Sequence, residues 1–88
     1  MTANVEIYTW GACPFCIQAK ALLNKKGVKY TEYRIDGDYE TREKMKQRAE
    51  GRSSLPQIFI NNQPIGGCDE LYFLESTNKL DSLLNKTV

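Results

Sequence analysis

The sequence predicts an α/β fold in a single domain that covers residues 1–88. The first half reads as strand, helix and strand, which is typical of two parallel strands joined by a right-handed crossover. The second half contains two short apolar segments on either side of an Asn-rich turn, a pattern that predicts a β-hairpin. With the remaining helical segments the predicted order is β-α-β-α-β-β-α, and 41% hydrophobic residues suffice for one modest core.

The first strand and the first helix have clear boundaries. Residues 5–10 alternate aliphatic with other residues and predict a strand, and residues 11–12 turn the chain. Pro14 suits the first helical position, and Gly27 suits the C-terminal stop. Apolar residues at helical spacing form one face: Cys16, Ala19, Leu22 and Leu23. We therefore expect the helix to bury Cys16 more than Cys13.

Residues 28–35 predict the second strand, because they are rich in β-branched and aromatic residues. The apolar phase changes between Tyr30 and Tyr33, which leaves two interpretations open: a β-bulge, or an edge strand with one buried side. Residues 36–38 then predict a turn and a cap for the next helix.

The second predicted helix covers residues 39–50 and is strongly charged. Glu40 and Lys44 have the spacing of an ion pair along one helical face. Few apolar residues are available for burial, and the expected anchors are Tyr39, Met45 and Ala49. We therefore expect this helix to be the least firmly packed element.

The second half of the chain alternates short elements with turns. Residues 51–54 predict a loop, and residues 57–61 predict the third strand. A turn at residues 61–64 leads into a short fourth strand that ends at residues 66–67. A C-terminal helical region, split around residues 76–78, is predicted by apolar residues at helical spacing: Leu71, Tyr72 and Leu74 before the split, and Leu80, Leu83 and Leu84 after it.

Charge and hydropathy argue against two classes of partner. Twelve Lys and Arg residues balance eleven Asp and Glu residues, for a net charge of +1, and the chain has no dense basic segment of the kind that binds nucleic acid. No apolar run approaches the ~20 residues that cross a bilayer, and no leader segment opens the chain. We therefore expect a cytoplasmic protein without a membrane partner.

Two cysteines one helical turn apart are the strongest functional signal. The run Cys13-Pro14-Phe15-Cys16 lies directly after the predicted first strand and at the start of the first helix. Backbone N–H groups and the positive end of the helix dipole meet at that junction, and they favour a thiolate at Cys13. Cys16 lies close enough to attack a mixed disulfide formed at Cys13. The pair is therefore predicted to cycle between two thiols and a disulfide.

Two alternatives compete with redox chemistry. The same spacing forms half of a zinc site, but the chain has no histidine and only one further cysteine, Cys68, so four soft ligands are not available. A structural disulfide in a secreted protein is disfavoured by the odd number of cysteines. We therefore predict no metal site and a reducing environment.

With these elements placed, the chain resembles the glutaredoxins, in particular the bacterial dithiol type. The resemblance runs essentially from end to end and rests on three motifs: Cys13-Pro14-Phe15-Cys16 after the first strand, Leu55-Pro56 before the third strand, and Gly66-Gly67-Cys68-Asp69 before the third helix. It implies a thioredoxin fold, in which a four-stranded mixed β-sheet is flanked by helices.

The resemblance also implies an activity. The chain would be a glutathione-dependent thiol-disulfide oxidoreductase that reduces glutathione mixed disulfides and protein disulfides. Cys13 would be the nucleophile and Cys16 the resolving thiol, and together they would form the redox-active disulfide. Glutathione would be the co-substrate, and no cofactor would be tightly bound. The chain would act as a monomer on glutathionylated or disulfide-containing proteins.

The glutathione-binding residues that the resemblance implies are Phe15, Arg42, Leu55, Pro56, Gly67, Cys68 and Asp69. A cis peptide bond at Pro56 would turn the backbone of Leu55 toward the thiols, where glutathione pairs with it as an added strand. The amides that follow Gly66 would take the γ-glutamyl carboxylate, and Asp69 would take the ammonium group. The residues alone leave ordinary alternatives open: Pro56 opens an edge strand, the glycines make a tight turn, and Asp69 caps a helix.

One position departs from the family pattern. Many glutaredoxins have a lysine three residues before the first motif cysteine, whereas this chain has Trp10. Arg42 is then the remaining candidate for the glycine carboxylate of glutathione, although arginines on charged helices are more often solvated. Cys68 is expected to be a buried thiol without chemistry of its own.

Two other functions remain as alternatives. Relatives with a single motif cysteine hold an iron–sulfur cluster between two chains and two glutathiones. Pro14 and Cys16 argue against that role, because the proline stiffens the loop and the second thiol competes for Cys13. A redoxin reduced by a flavoprotein instead of by glutathione is the other alternative, and the identity of the reductant distinguishes it.

Overall fold

The computed structural model describes residues 3–85, so the ends of the predicted domain 1–88 lie outside the described residues. Its strands are β1 (Val5–Thr9), β2 (Tyr30–Arg34), β3 (Gln57–Ile60) and β4 (Gln63–Gly66). Its helices are α1 (Pro14–Lys25), α2 (Tyr39–Arg48), α3 (Cys68–Ser76) and α4 (Leu80–Asn85). Every predicted element is present, including the split between α3 and α4. None of the helices in this range is long and apolar enough to cross a membrane.

The four strands form one mixed sheet in the order β2-β1-β3-β4. β1 and β2 are parallel, from Val5 opposite Tyr30 to Thr9 opposite Arg34, which confirms the predicted parallel pair. β3 runs antiparallel both to β1 and to β4. The predicted fold class, a four-stranded mixed sheet flanked by helices, is therefore confirmed.

The position of β2 decides between the two interpretations of residues 28–35. β2 lies at one edge of the sheet and pairs with β1 without a register shift. The edge strand is therefore correct, and the β-bulge is not found there. A register shift falls instead between Ile58 and Phe59, where β3 pairs with β4.

The hairpin between β3 and β4 has a two-residue loop. Asn61 and Asn62 adopt φ values of +50° and +67°, the left-handed conformations that a type I′ turn requires and that asparagine tolerates. The turn is thus shorter than the predicted residues 61–64. Pro64 lies within β4, the other edge of the sheet, where a proline is tolerated.

The sheet separates two hydrophobic clusters, and successive residues of β3 point to opposite sides. The larger cluster, which includes residues of α1, α3 and α4, contains Ile7, Leu23, Ile58, Leu71 and Leu80. The smaller cluster lies under α2 and contains Ile35, Met45, Ala49 and Phe59. Both clusters therefore hold the central strands β1 and β3 in place, and these strands lead to the site described below.

The packing of α2 departs from prediction at Tyr39. Met45 and Ala49 are buried as expected, but Tyr39 is 79% exposed, so its prediction as an anchor is wrong. Tyr39 lies six residues before Met45, about 120° around the helix from it, and therefore off the buried face. The predicted ion pair between Glu40 and Lys44 is present on the exposed side, at 3.6 Å.

Part of the contact between α2 and the sheet is made by a charged residue. The guanidinium carbon of Arg48 lies 4.1 Å from the centre of the Phe59 ring, and its Nη1 donates to Oε2 of Glu6 at 3.0 Å. Tyr33 Oη donates to the same carboxylate oxygen at 2.8 Å. Hydrogen bonds from Arg48 and Tyr33 lower the pKa of Glu6 below its ordinary value, with Arg48 as the largest cause.

Candidate active site

Cys13 occupies the junction between β1 and α1. The turn that leads to it is held by Asp36, whose Oδ2 accepts from the Gly11 N–H at 2.7 Å. Cys13 is half-buried and is the N-cap of α1, because its Sγ accepts a hydrogen bond from the Cys16 N–H at 3.3 Å. A sulfur therefore takes the acceptor position that a serine or aspartate oxygen usually fills.

Cys16 lies one turn into α1 and is 2% exposed, so it is more deeply buried than Cys13, as predicted. Burial, reinforced by the sulfur of Cys13, raises the pKa of the Cys16 thiol to about 12. The two free thiols therefore differ in character: an accessible sulfur lies at the helix start, and a buried, protonated one lies behind it.

The segment before β3 lies against the first thiol. The peptide bond between Leu55 and Pro56 is cis, as the resemblance implies. The carbonyl oxygen of Leu55 is 4.0 Å from Sγ of Cys13. A peptide that paired with the backbone at Leu55 would therefore carry its own sulfur close to Cys13.

A cavity of about 230 Å³ adjoins this segment. Its lining comes from α1, from the segment before β3 and from the start of α3; the residues are Phe15, Ser54, Leu55, Pro56, Gly67, Cys68, Asp69 and Glu70. Six of the seven binding residues predicted from the resemblance thus meet in one cavity, and the exception is Arg42. Ser54 and Glu70 also line the cavity and were not predicted, and nothing in the sequence pattern marks Ser54.

Glu70 changes the expectation for the amide of Gly67. Its Oε1 accepts from the Gly67 N–H at 2.6 Å, so that amide is already paired within the protein. The amides of Cys68 and Asp69 lie in the first turn of α3, where a helix offers them no acceptor. The amides available to an anion are therefore those of Cys68 and Asp69. An acid three residues after a helix cap is the sequence signal that identifies Glu70.

Gly66 is a position where this corner of the site requires glycine. Its φ is +113°, in the region that side chains rarely adopt. A Cβ there would lie 2.6 Å both from Nη1 of Arg52 and from Oε1 of Glu70. The glycine therefore permits both the turn and the close approach of two charged side chains.

Arg42 lies outside the cavity lining but is bonded to the segment next to it. Its Nε and Nη2 donate to the carbonyl oxygen of Ser53 at 3.2 and 2.9 Å. Its guanidinium carbon is 5.2 Å from the centre of the Trp10 ring. Arg42 is half-buried, and its contacts with Ser53 and Trp10 hold its side chain in place. It therefore differs from the freely solvated arginine that is common on charged helices.

Cys68 is buried, as predicted, and its Sγ lies 3.7 Å from Oε1 of Gln18. Burial, with a further contribution from the charge of Asp69, raises the pKa of the Cys68 thiol. Within residues 3–85, no group of three or more His, Cys, Asp or Glu side chains is arranged to hold a metal ion.

Comparison with known proteins identifies the family. A family model described as Glutaredoxin matches residues 5–65 of this chain. The chain belongs to the glutaredoxin family. Glutaredoxin 3 of Escherichia coli is 56% identical to it over 82 residues, which cover 93% of this chain and 98% of that relative.

Two solved structures of glutaredoxins are similar to this one. The glutaredoxin of Brucella melitensis is 48% identical, with a TM-score of 0.83 over 96% of this chain and 90% of that one. The dithiolic glutaredoxin 2-C-Grx1 of Trypanosoma brucei brucei is 34% identical, with a TM-score of 0.85 over 94% and 88%. Family membership therefore makes this glutaredoxin a thiol oxidoreductase that depends on glutathione as its co-substrate.

Proposed function

We propose that this glutaredoxin reduces glutathione mixed disulfides and protein disulfides, with Cys13 as the nucleophile and Cys16 as the resolving thiol. The observation that carries the proposal is the asymmetry of the two sulfurs. Sγ of Cys13 is half-buried and receives the Cys16 N–H at 3.3 Å, whereas Cys16 is 2% exposed and its pKa is about 12. Only a thiolate is nucleophilic, so the accessible sulfur reacts first.

The first step is an exchange at the sulfur of glutathione. The Cys13 thiolate attacks that sulfur, a new S–S bond forms between Cys13 and glutathione, and the old S–S bond breaks. The substrate leaves as a thiolate and takes a proton from water. Glutathione is thereby held on Cys13 as a mixed disulfide.

The cavity supports the placement of glutathione for this step. Its cysteine pairs with the backbone at Leu55, beside the cis bond to Pro56, and the Phe15 ring packs alongside. The γ-glutamyl carboxylate meets the amides of Cys68 and Asp69, and the Asp69 carboxylate accepts from the ammonium group. Gly67 contributes the turn that precedes these amides, and Arg42 takes the glycine carboxylate.

The mixed disulfide is resolved by one of two paths. In the first, the thiolate of a second glutathione attacks the bound glutathione sulfur, oxidised glutathione leaves, and Cys13 is regenerated as a thiolate. In the second, Cys16 loses its proton and attacks Sγ of Cys13, the group bound to Cys13 leaves as a thiol, and the Cys13–Cys16 disulfide closes; two glutathiones then reduce that disulfide and leave as oxidised glutathione. The second path serves protein disulfides, because Cys16 releases a target protein that is bound to Cys13 as a mixed disulfide.

The same proposal extends to the setting of the reaction. We propose that one domain over residues 1–88 acts as a monomer in the cytoplasm. The sequence has three cysteines, an odd number, which suits a reducing compartment better than a set of structural disulfides. Its protein partners are those that carry a glutathione mixed disulfide or a reactive disulfide.

Single cysteine variants test the division of roles. Cys13→Ser should abolish turnover of a glutathionylated peptide, because no nucleophile remains. Cys16→Ser should keep that turnover, lose reduction of a protein disulfide, and accumulate a form that has gained the mass of one glutathione. An equal loss of peptide turnover in both variants would contradict the proposed roles.

The reductant is tested separately with the natural protein. Turnover should require glutathione and glutathione reductase. Reduction of the dithiol by a thioredoxin-type flavoprotein reductase in the absence of glutathione would instead support the flavoprotein-dependent alternative.

A further inference from the structure

Trp10, the residue directly after β1, has no role in the chemistry described above. Its side chain is 43% exposed. The guanidinium carbon of Arg42 lies 5.2 Å from the centre of its ring, and a guanidinium over an indole face is a favourable cation–π arrangement. We propose that Trp10 is a positioning residue that holds the Arg42 guanidinium ready for the glycine carboxylate of glutathione.

Arg42 carries a charge that no acid of the described chain neutralises. Its partners within residues 3–85 are the Trp10 ring and the carbonyl oxygen of Ser53. Arg34 and Arg48, in contrast, each pair with a carboxylate. A guanidinium has five N–H groups, and Arg42 uses two of them on Ser53, so the others are free to donate to an anion.

The anchor of Arg42 relates it to the cavity. Ser53 directly precedes Ser54 and Leu55, which line the cavity, so the guanidinium is bonded to the same segment that receives glutathione. The charged residues of the lining itself, Asp69 and Glu70, are both acidic. A ligand with an ammonium group for the acids and a carboxylate for Arg42 therefore matches the charges of the site.

Trp10 adds no charge to the site and acts through the orientation of Arg42. This inference rests on the proposed function, since it assigns which end of glutathione lies at Arg42. It also makes a specific demand: the effect of Trp10 must vanish when Arg42 is absent.

Binding can be measured without turnover, because Trp10 is the one tryptophan in the sequence. S-methylglutathione, which forms no disulfide, is titrated while Trp10 fluorescence is recorded. Its analogue with a carboxamide in place of the glycine carboxylate is titrated in the same way. With the natural protein we expect the carboxamide to bind about tenfold more weakly, because a charge-assisted hydrogen bond is lost. With Arg42→Ala that difference should disappear.

Turnover of a glutathionylated peptide tests Trp10 itself. Trp10→Ala should raise KM about fivefold at unchanged kcat, and Trp10→Phe should restore most of the loss because a ring remains under the guanidinium. The double variant Trp10→Ala/Arg42→Ala should have the same KM as Arg42→Ala alone. Lys46→Ala, which removes a charge from the exposed side of α2, is the matched control and should behave as the natural protein.

The outcomes separate this inference from the proposed function. Independent, multiplying effects of the Trp10 and Arg42 variants would overturn the positioning role, as would a Trp10→Ala variant that loses kcat at unchanged KM. The inference would also be overturned if the natural protein bound the carboxylate and the carboxamide equally while still turning over the peptide. That result would leave the proposed reaction and the roles of the two cysteines intact. A natural protein that fails to turn over the peptide would refute the proposed function, and this inference with it.

Discussion

The backbone nitrogen of Cys16 lies 3.3 Å from Sγ of Cys13, so the first thiol caps the helix that carries the second. The atom that forms and breaks bonds in the proposed cycle is thus also the atom that completes the first turn of α1. Chemistry at Cys13 is therefore linked to order at the start of that helix.

The two motif thiols should react with iodoacetamide at very different rates. At pH 7 we expect Cys13 to be alkylated at least about a hundredfold faster than Cys16, because Cys16 is buried and its thiol is protonated. Mass spectrometry of Cys16→Ser and Cys13→Ser measures the two rates. In urea the two variants should react alike, which is the control; similar rates in the folded state would contradict the arrangement.

The raised pKa of Cys16 should appear as a loss of stability at alkaline pH. The pKa of the Cys16 thiol is about 8.5 in the unfolded chain, whereas in the folded protein it is about 12. Between these values the folded state binds more protons than the unfolded state, so the free energy of unfolding falls as pH rises. Urea titrations at pH 8 and pH 10.5 should give a smaller decrease for Cys16→Ser than for the natural protein. If the free energy of unfolding decreased equally in Cys16→Ser and in the natural protein, other titrating groups would be the cause of the alkaline loss of stability.

Gly66→Ala should destabilise the fold more than a substitution at a less crowded glycine. The new Cβ would be 2.6 Å from two charged side chains at a φ of +113°, and we expect a loss of about 3 kcal/mol in the free energy of unfolding. Gly27→Ala is the matched control: φ is +72° and nothing lies within 4 Å of the added Cβ, so the loss should be about 1 kcal/mol. Equal losses, measured by urea denaturation, would mean that crowding at Gly66 is relieved without cost.

Glu6→Gln should lower the free energy of unfolding at neutral pH. It should also reduce the amount by which that free energy falls when the solution is acidified. The Glu6 carboxylate pairs with Arg48, and its pKa is lowered by that contact. The stabilisation from this carboxylate is fully present at pH values above its pKa in the unfolded chain, about 4.3. It is lost as the pH falls through the lower pKa of the folded protein. We expect a loss of about 2 kcal/mol at pH 7, less than for a fully buried pair because both side chains remain partly exposed.

The control for this prediction is an exposed ion pair on α2, the helix that carries Arg48. Glu40→Gln breaks the 3.6 Å contact with Lys44 and should change the free energy of unfolding by less than about 0.5 kcal/mol. Thermal unfolding at pH 3 and pH 7 provides the measurement. A Glu6→Gln variant whose loss in the free energy of unfolding is as large at pH 3 as at pH 7 would point to lost packing as the cause instead of lost charge.

Local sequence signals were sufficient for the elements that carry the thiols. Pro14 at the first helical position and the helical spacing of Cys16 with Leu23 predicted both the start of α1 and the burial of the second cysteine. The paired asparagines predicted the hairpin, although the turn is limited to Asn61 and Asn62. These features depend on residues close together in the chain, so their physical causes are visible in the sequence.

Contacts between distant residues were not predictable in the same way. The charged surface of α2 gave no sign that Arg48 reaches Glu6 and covers Phe59, because a long side chain can bury its stem and still pair its charge. The contact of Arg42 with Trp10 likewise joins residues 32 positions apart in the numbering. The prediction that residues of α1 and α3 line one cavity depended on the family resemblance. Spacing along the chain does not reveal which segments meet in the fold.

The antiparallel pairing of β1 with β3 has a consequence for how this protein could be divided. Cys13 follows β1, whereas Leu55 and the lining residues of α3 belong to the other half of the chain. A cut in the exposed loop at residues 51–54 would leave the reactive sulfur on one fragment and the peptide-receiving backbone on the other. Neither piece alone would carry a complete site, so recovered catalysis would report reassembly of the two halves.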